Sequence, residues 1–295
     1  LRMSVGVVVA LLSALCWTGL DTVRKRLATF IAPLPLSTII GAGMLPFFAA
    51  WCVSTEFRLP PAGYIPFAAA AGACGALGGL LFVAAVARSP FSVTIPYLAF
   101  SPAVSAIGGL LLGERLSPSQ WAGIVSVAIG GFFLQTPRGA TPKRNLVVQQ
   151  FRAFREEPGV RLMLGAAVCW GLLPVCDKFA LTFTSAAIHG LFVSSAAVAF
   201  YLAALWHRRA AHELAAAGSC WASCIVAALL STAALGLQLT AIQMIPVAFV
   251  ETIKRTVGLL SATLIGRLAF AEPITVRAVL CTGVMGLGVA LLLLT

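Results

Sequence analysis

Long apolar runs separated by short polar breaks follow one another along the whole chain. The runs are continuous rather than alternating with a period of two, so they indicate helices and not the strands of a barrel. A helix that crosses the hydrocarbon core of a bilayer needs about 20 apolar residues. The pattern predicts ten such helices, at residues 4–24, 33–53, 65–87, 91–112, 119–136, 162–181, 187–206, 219–242, 247–270 and 274–294.

The composition places these helices in lipid. Of the 295 residues, 60% are hydrophobic and 10% are charged, and the mean hydropathy is +1.00. A typical soluble domain carries about 25% charged residues, so this chain lacks the polar groups to cover a surface that faces water. The first run is interpreted as a span and not as a cleaved signal, because a similar run returns near residues 162–170.

The net charge of +11 is attributed to Lys and Arg residues that flank the spans and to attraction toward anionic lipid. No basic stripe with interleaved aromatic residues lies outside the apolar segments, so nucleic acid is not a predicted partner. The eight cysteines show no CxxC pair and no zinc-ligand spacing, and they are interpreted as small core residues. No metal and no cofactor is predicted.

Two similar decapeptides indicate an internal repeat. Residues 16–25 read CWTGLDTVRK and residues 169–178 read CWGLLPVCDK, at an offset of 153. A second pair, residues 85–90 and 241–246, aligns at an offset of 156 and ends in proline in both copies. Features that return in the same order at nearly the same offset are the signature of a repeated structural unit.

The repeat predicts three parts of the chain. Residues 1–136 and residues 162–295 each hold five spans, and the loop 137–161 between them carries six basic and two acidic residues. Because five is odd, the second half enters the membrane from the opposite face. The predicted fold is therefore an all-α polytopic membrane protein of ten transmembrane helices, built as two inverted five-helix repeats around a central cavity. This architecture is typical of secondary transporters.

These repeated motifs resemble the drug/metabolite transporter superfamily, in its ten-span EamA-type branch. Trp followed eight residues later by Lys closes the first span of each repeat. Pro102, the GERL turn at 113–116 and the glycine-rich span that follows are similar to the family's signature for its fourth and fifth spans, although residues 270–273 read FAEP in the second copy. The resemblance implies export or exchange of small metabolites. Within the superfamily, the chain is most similar to the aromatic amino-acid exporters.

Ionisable residues within apolar runs are costly and are therefore candidates for substrate binding. In the first span, Trp17, Asp21 and Lys25 follow one another at intervals of four residues, and Asp21 can pair with Lys25. Lys178 is the repeat partner of Lys25. The alternative is that the basic residues at this end of the span extend to the lipid headgroups.

A second group of charged residues lies near the start of the ninth span. Glu251, Lys254 and Arg255 lie within five residues, and Glu251 can pair with Arg255 at i+4. The matching positions of the first half are apolar, which favours a specific role over a scaffold role. One anionic and one cationic partner would suit a zwitterionic amino acid. The alternative is an interfacial turn held by salt bridges.

Polar and aromatic residues of other spans complete the candidate set. Prolines flank the aromatic residues of the fourth span and free backbone carbonyls there, while the rings can stack on an apolar side chain or a cation. The glycines of the third span are interpreted as helix contacts, and His189 as a core histidine whose hydrogen bonds are satisfied. The predicted substrate-binding residues are Trp17, Asp21, Lys25, Tyr97, Phe100, Ser101, Trp170, Lys178, Gln238, Glu251 and Lys254.

We expect a secondary transporter that exports amino acids and related metabolites by alternating access, as a monomer. No GxxxxGK[ST] phosphate loop and no nucleophile–base pair occurs, so neither direct ATP use nor catalysis is predicted. A sugar-nucleotide or phosphosugar exchanger would use the basic residues as phosphate clamps. A cationic-drug exporter would use Glu251 together with aromatic rings. A membrane-embedded enzyme or lipid-handling scaffold is the alternative from another class.

The expected location is the cell inner (cytoplasmic) membrane. Ten spans place both termini on one side, and the resemblance implies the cytoplasmic side. The positive-inside bias argues the other way, because this orientation exports the loop 137–161 and the basic turn at 207–209. The expectation follows the resemblance.

Overall fold

A computed structural model of the protein describes residues 2–27, 30–55, 58–89, 94–134, 154–270 and 276–293. These ranges include ten α-helices, numbered in chain order: α1 Arg2–Leu27, α2 Pro33–Ser54, α3 Ile65–Arg88, α4 Ser101–Gly109, α5 Pro118–Leu134, α6 Pro158–Ala180, α7 Ala186–His207, α8 Trp221–Ala241, α9 Val247–Phe270 and α10 Val276–Leu293. Four 3₁₀ helices accompany them: Ala62–Tyr64, Ile95–Phe100, Leu110–Leu112 and Ala211–Cys220. The all-α fold predicted from the continuous apolar runs is confirmed.

Six helices of the described ranges are long and apolar enough to cross a membrane: α1, α2, α3, α6, α7 and α8. Shorter apolar helices lie at Tyr97–Leu112, Pro118–Leu134 and Val279–Leu293. The remaining helix, α9, has 24 residues and carries the charged cluster in its first half. All ten predicted spans therefore correspond to helical segments, although three of them are shorter than a typical span.

The fourth span is not the continuous α-helix predicted over residues 91–112. Within the described part of the chain it consists of the nine-residue α4 between two 3₁₀ helices, and residues 91–93 lie outside the described residues. Pro96 and Pro102 explain the break, because proline lacks an N–H donor and disfavours the α conformation of the residue before it. Gly113 ends the element with a φ of 74°, in the left-handed region that favours glycine.

The chain divides into two compact units. The first combines Leu1–Ala76 with Cys176–Ile245, and the second combines Leu77–Val175 with Pro246–Thr295. The division falls inside α3 and inside α6, so each unit takes residues from both halves of the sequence. The predicted boundaries at 136 and 162 concern the sequence repeat and stay a prediction. Residues 135–153, most of the predicted basic loop, lie outside the described residues.

In the first unit, α1 packs against α8, and α2 packs against both α7 and α8. Leu20, Leu27 and Ile40 belong to a buried apolar cluster with Ala227. The Ser13 hydroxyl donates a hydrogen bond of 2.7 Å to a backbone carbonyl of α8, at Ala234. Small and hydroxyl-bearing residues at such contacts are typical of helices that associate in lipid, where packing replaces the hydrophobic drive found in water.

In the second unit, α5 packs closely against α10 at a glycine pair. A Cβ atom added to Gly123 would lie 2.5 Å from the carbonyl oxygen of Gly288, and one added to Gly288 would lie 2.6 Å from the carbonyl oxygen of Gly123. The two backbones therefore meet at a distance that no side chain permits. Val127 and Met285 are buried beside this crossing.

The GERL turn positions the start of α9 within the second unit. Both carboxylate oxygens of Glu114 accept the backbone N–H of Val247, at 3.2 and 3.1 Å. Val247 begins α9, where backbone N–H groups lack partners within the helix and where the helix dipole favours a negative charge. The GERL turn therefore holds the N-terminal end of the helix that carries the charged cluster.

Candidate functional site

The charged cluster predicted in the ninth span is present in the first half of α9. Glu251 is 1% exposed, and its carboxylate lies 2.8 Å from Nε of Arg255 and 2.5 Å from Nζ of Lys254. The Glu251–Arg255 pair predicted from the i, i+4 spacing is confirmed. The Lys254 contact at i+3 adds a second cation to the same carboxylate.

Ser101 connects the interrupted fourth span to this cluster. Its buried hydroxyl donates a 2.7 Å hydrogen bond to Oε1 of Glu251 and accepts a 2.8 Å hydrogen bond from Nε of Arg255. Ser101 lies where the 3₁₀ helix changes into α4, close to Pro102. The break in the helix therefore coincides with the point at which the span meets the ion pairs.

The charges of the cluster do not cancel. One carboxylate faces one ammonium and one guanidinium group, which leaves a formal charge of +1. The side chains of Lys254 and Arg255 are 18% and 16% exposed, whereas that of Glu251 is 1% exposed. The negative charge of the buried Glu251 carboxylate is balanced by these two cations, which offsets the cost of removing it from water. The accessible chemistry of the site is therefore cationic, and it suits an anionic group of a ligand.

One aromatic ring lies against this cationic group, and further rings pack beside that ring within the second unit. The guanidinium carbon of Arg255 lies 5.6 Å from the ring centroid of Trp170, within the range of a cation–π contact. Trp170 belongs to a larger apolar cluster with Tyr97, Phe100 and Phe132. Within it, the Phe132 centroid is 5.3 Å from that of Tyr97 and 5.2 Å from that of Phe100. Four candidate residues of the sequence analysis thus meet here with Glu251 and Lys254: Tyr97, Phe100, Ser101 and Trp170.

The other candidate residues lie in the first unit. Trp17 donates its indole N–H to Oε1 of Gln238 at 3.1 Å and so joins α1 to α8. Lys178 donates from Nζ to the carbonyl oxygen of Ile245 at 3.2 Å, at the break between α8 and α9. Both lie in the part of each repeat that carries the Trp–Lys motif, but the structure gives them partners that the spacing did not predict.

Asp21 forms an ion pair of 3.7 Å with Arg24, and the two side chains are 71% and 39% exposed. Exposed pairs of this kind contribute little free energy. Lys25 lies in α1, but its side chain is outside the described residues, so the predicted Asp21–Lys25 pair stays a prediction.

The first unit also contains a buried hydrogen-bonded triad that the sequence did not predict. Nε2 of His189 lies 3.0 Å from Oδ1 of Asp177, and Nδ1 lies 2.8 Å from the hydroxyl of Tyr64. His189 is 0% exposed and Asp177 is 1% exposed. His189 is therefore buried and both of its ring nitrogens have partners, as a core histidine requires. Its partners are 12 and 125 residues away in the chain, and no local pattern reports such pairs.

Comparison with known proteins gives a family match and a similar solved structure. A model described as "EamA-like transporter family" matches residues 4–136 and 157–294. No curated protein matches the chain. One similar solved structure, described as "Crystal structure of protein", is 16% identical with a TM-score of 0.76, and the match covers 99% of this chain and 97% of the other. At this identity, the likeness shows the fold alone.

Proposed function

Because this chain belongs to the EamA-like transporter family, and is therefore a multi-pass membrane transporter of small molecules, we propose that it exports amino acids by alternating access. The proposal is carried by one observation: the Glu251 cluster presents two partly exposed cations around a fully buried carboxylate. Catalysis is no part of the proposal, since members of this family are transporters rather than enzymes.

The cluster provides a binding site for a single carboxylate. Lys254 and Arg255 offer charge-assisted hydrogen bonds, and a guanidinium group can bind a carboxylate through two parallel bonds. Glu251 and Ser101 orient the two cations, so little rotamer freedom is lost when a ligand binds. The excess charge of +1 is then neutralised by one carboxylate, which matches an amino acid better than a ligand with several phosphate charges.

The aromatic side chains next to the cluster favour an apolar or aromatic side chain on the substrate. Rings at offset or edge-to-face distances stabilise a bound aromatic group beyond the effect of buried area alone. Trp170 already covers Arg255. Phenylalanine, with its carboxylate on the cations and its ring among these aromatic residues, is the substrate that this chemistry favours most.

The same observations disfavour a cationic drug as substrate. Such a ligand would need the carboxylate of Glu251, which is buried and already paired with two cations. A drug cation would have to displace Lys254 or Arg255, and the displaced cation would then lose its carboxylate partner within a largely buried site, which is costly. A phosphosugar remains chemically compatible with Lys254 and Arg255 and is an outcome that the experiment below distinguishes.

A thermal-stability panel on the purified protein tests the substrate class. The ligands are phenylalanine, its amine analogue phenethylamine, its acid analogue phenylpropionate, and a sugar nucleotide. We expect saturable stabilisation with phenylalanine and with phenylpropionate, which share the carboxylate and the ring, and none with phenethylamine or the sugar nucleotide. At a ligand concentration of about 100 times Kd, binding stabilises the folded state by about 2.7 kcal/mol, which a thermal shift detects. Stabilisation by phenethylamine and not by phenylalanine would contradict the proposal.

The proposed location is the cell inner membrane, with both termini in the cytoplasm and the protein acting as a monomer. Support comes from the family alone, because the basic residues near helix ends argue for the opposite orientation. A reporter enzyme fused after residue 295 tests the orientation. Activity of a reporter that works only in the cytoplasm is expected, and activity of one that works only outside would refute this orientation.

A further inference from the structure

The Tyr64–His189–Asp177 triad combines burial with groups that can exchange a proton. Asp177 lies in the last turn of α6, His189 in the first turn of α7, and Tyr64 at the end of the 3₁₀ helix before α3. The amino-acid site proposed above uses none of these residues. Imidazole is the side chain whose charge ordinarily changes between about pH 5 and 8, and it is a common proton shuttle.

The carboxylate of the triad is only half satisfied. Oδ1 of Asp177 has His189 as partner, whereas Oδ2 is buried and has no hydrogen-bond partner among the described residues. Lys178 follows directly in sequence, but its Nζ donates to the carbonyl oxygen of Ile245. A buried polar atom without a partner requires an explanation, and a protonation site is one of the few reasons to keep it.

The surroundings of the triad are mainly apolar or neutral. Phe192 meets the Tyr64 ring edge-on with centroids 5.6 Å apart, and Phe48 of α2 packs on Gly190, next to His189. The nearby titratable groups are two thiols, Cys74 of α3 and Cys176 of α6. Cys52 of α2 packs on the first turn of α7 beside His189.

The dipoles at the ends of α6 and α7 determine which form of the triad is favoured when a proton is added. The C-terminal end of α6 carries partial negative charge near Asp177, and the N-terminal end of α7 carries partial positive charge near His189. Both dipoles oppose an Asp⁻–His⁺ ion pair and favour a neutral carboxylic acid beside a neutral imidazole. A buried charge of −1 is costly, and one proton removes it.

From this geometry we propose that the triad binds the proton that is exchanged against substrate during transport. Without that proton, Nε2–H of His189 donates to Oδ1 of Asp177, and the hydroxyl of Tyr64 donates to Nδ1. Uptake of one proton from water protonates Nδ1, the Nε2 proton moves to Oδ1, and the oxygen of Tyr64 becomes the acceptor. No bond between heavy atoms changes, and the charge of the site goes from −1 to zero.

The proton also reverses the direction of the hydrogen bond to Tyr64. A hydroxyl that donates in one form and accepts in the other has to reorient. Tyr64 belongs to the segment that enters α3, whereas Asp177 and His189 belong to α6 and α7. One proton therefore changes a bond that links three segments of the first unit, which is how a bound proton biases a transport conformation.

The proposal rests on the proposed transport of amino acids, and its first test is accumulation in proteoliposomes that hold the whole chain. With one proton exchanged per phenylalanine, and with the membrane potential held at zero by equal K⁺ concentrations and valinomycin, a lumen about one pH unit more acidic than the medium supports about tenfold accumulation of the label. Accumulation is expected for the wild type and for Glu156→Gln, an exposed carboxylate that serves as the matched control. We expect Asp177→Asn to lose it. Equal accumulation by Asp177→Asn would overturn the proposal.

A second measurement separates the two proposals and does not depend on a folded Asp177 variant. The chain has three histidines, and His207 and His212 are exposed. In the double variant His207→Gln/His212→Gln, ¹⁵N NMR therefore reports His189 alone. We expect the ring signals to shift with pH and phenylalanine binding to alter that titration. No phenylalanine binding at all refutes the proposed function, whereas binding that leaves a pH-independent His189 signal refutes only the proton site.

Discussion

Replacement of Lys254 by glutamine is expected to reduce phenylalanine transport about 10- to 100-fold, mainly through KM. Hydrogen bonds to charged groups contribute about 1.5–3 kcal/mol, which corresponds to that range of affinity. In Lys254→Gln the excess charge of the cluster is lost, while Glu251 keeps Arg255 and Ser101 as partners. The folded state should therefore survive, and the loss should concern recognition. Initial rates of uptake over a range of phenylalanine concentrations provide the measurement.

Two variants serve as controls for this result. Lys254→Arg keeps the charge and should retain most of the transport, although the fork of the guanidinium group changes the geometry. Arg88→Gln removes a cation at the exposed end of α3 and should behave as the wild type. If Lys254→Gln and Arg88→Gln transport phenylalanine equally well, the cluster is a structural turn held by salt bridges.

Replacement of Gly123 by leucine is expected to eliminate most of the folded protein. A Cβ atom at this position would lie 2.5 Å from the backbone carbonyl oxygen of Gly288, and a backbone atom cannot move aside as a flexible side chain can. Overpacking of a well-packed core costs about 1–3 kcal/mol, and leucine adds three more carbon atoms beyond Cβ. Fluorescence-detected size-exclusion chromatography of detergent extracts measures the folded fraction.

Gly286→Leu is the matched control for this substitution. Gly286 lies on α10, the helix that carries Gly288, but a Cβ atom there meets nothing within 4 Å. Glycine within a helix costs about 1 kcal/mol relative to better helix formers, so this variant should be as stable as the wild type or slightly more stable. A normal yield of Gly123→Leu would show that α5 and α10 do not cross at this glycine pair.

The sequence was sufficient to predict features that depend on neighbours along the chain. Ten helical segments follow from continuous apolar runs, because hydropathy is a local property. The Glu251–Arg255 pair follows from helical spacing and is confirmed. The prolines around Ser101 were expected to free backbone carbonyl groups. Their effect on the helix was not predicted: the span consists of two 3₁₀ segments around a short α4. A proline in the sequence indicates where an α-helix is disfavoured, but it does not determine which conformation replaces the helix.

Contacts between distant residues were beyond the reach of sequence patterns. Ser101 and Glu251 are 150 residues apart, and Trp17 and Gln238 are 221 apart. A polar residue in an apolar run shows that a partner is needed, but several helices can supply it, and only the packing decides which one does. For the same reason, His189 was interpreted as a core histidine with satisfied hydrogen bonds, but Asp177 was not identified as its partner. The glycine-rich span that contains Gly123 was noted only as part of the family resemblance, and its crossing with Gly288 was not predicted.

Uptake of labelled substrates into proteoliposomes is the measurement that tests the central claim most directly. Vesicles preloaded with unlabelled phenylalanine, with no proton or ion gradient imposed, are offered labelled phenylalanine, threonine or a sugar nucleotide. The account predicts saturable uptake of phenylalanine, weaker uptake of threonine, and none of the sugar nucleotide, because one carboxylate neutralises the Lys254–Arg255–Glu251 cluster and the aromatic residues favour a ring. Uptake of the sugar nucleotide by vesicles preloaded with the same compound, with no phenylalanine uptake, would contradict the account and make these basic residues a phosphate site.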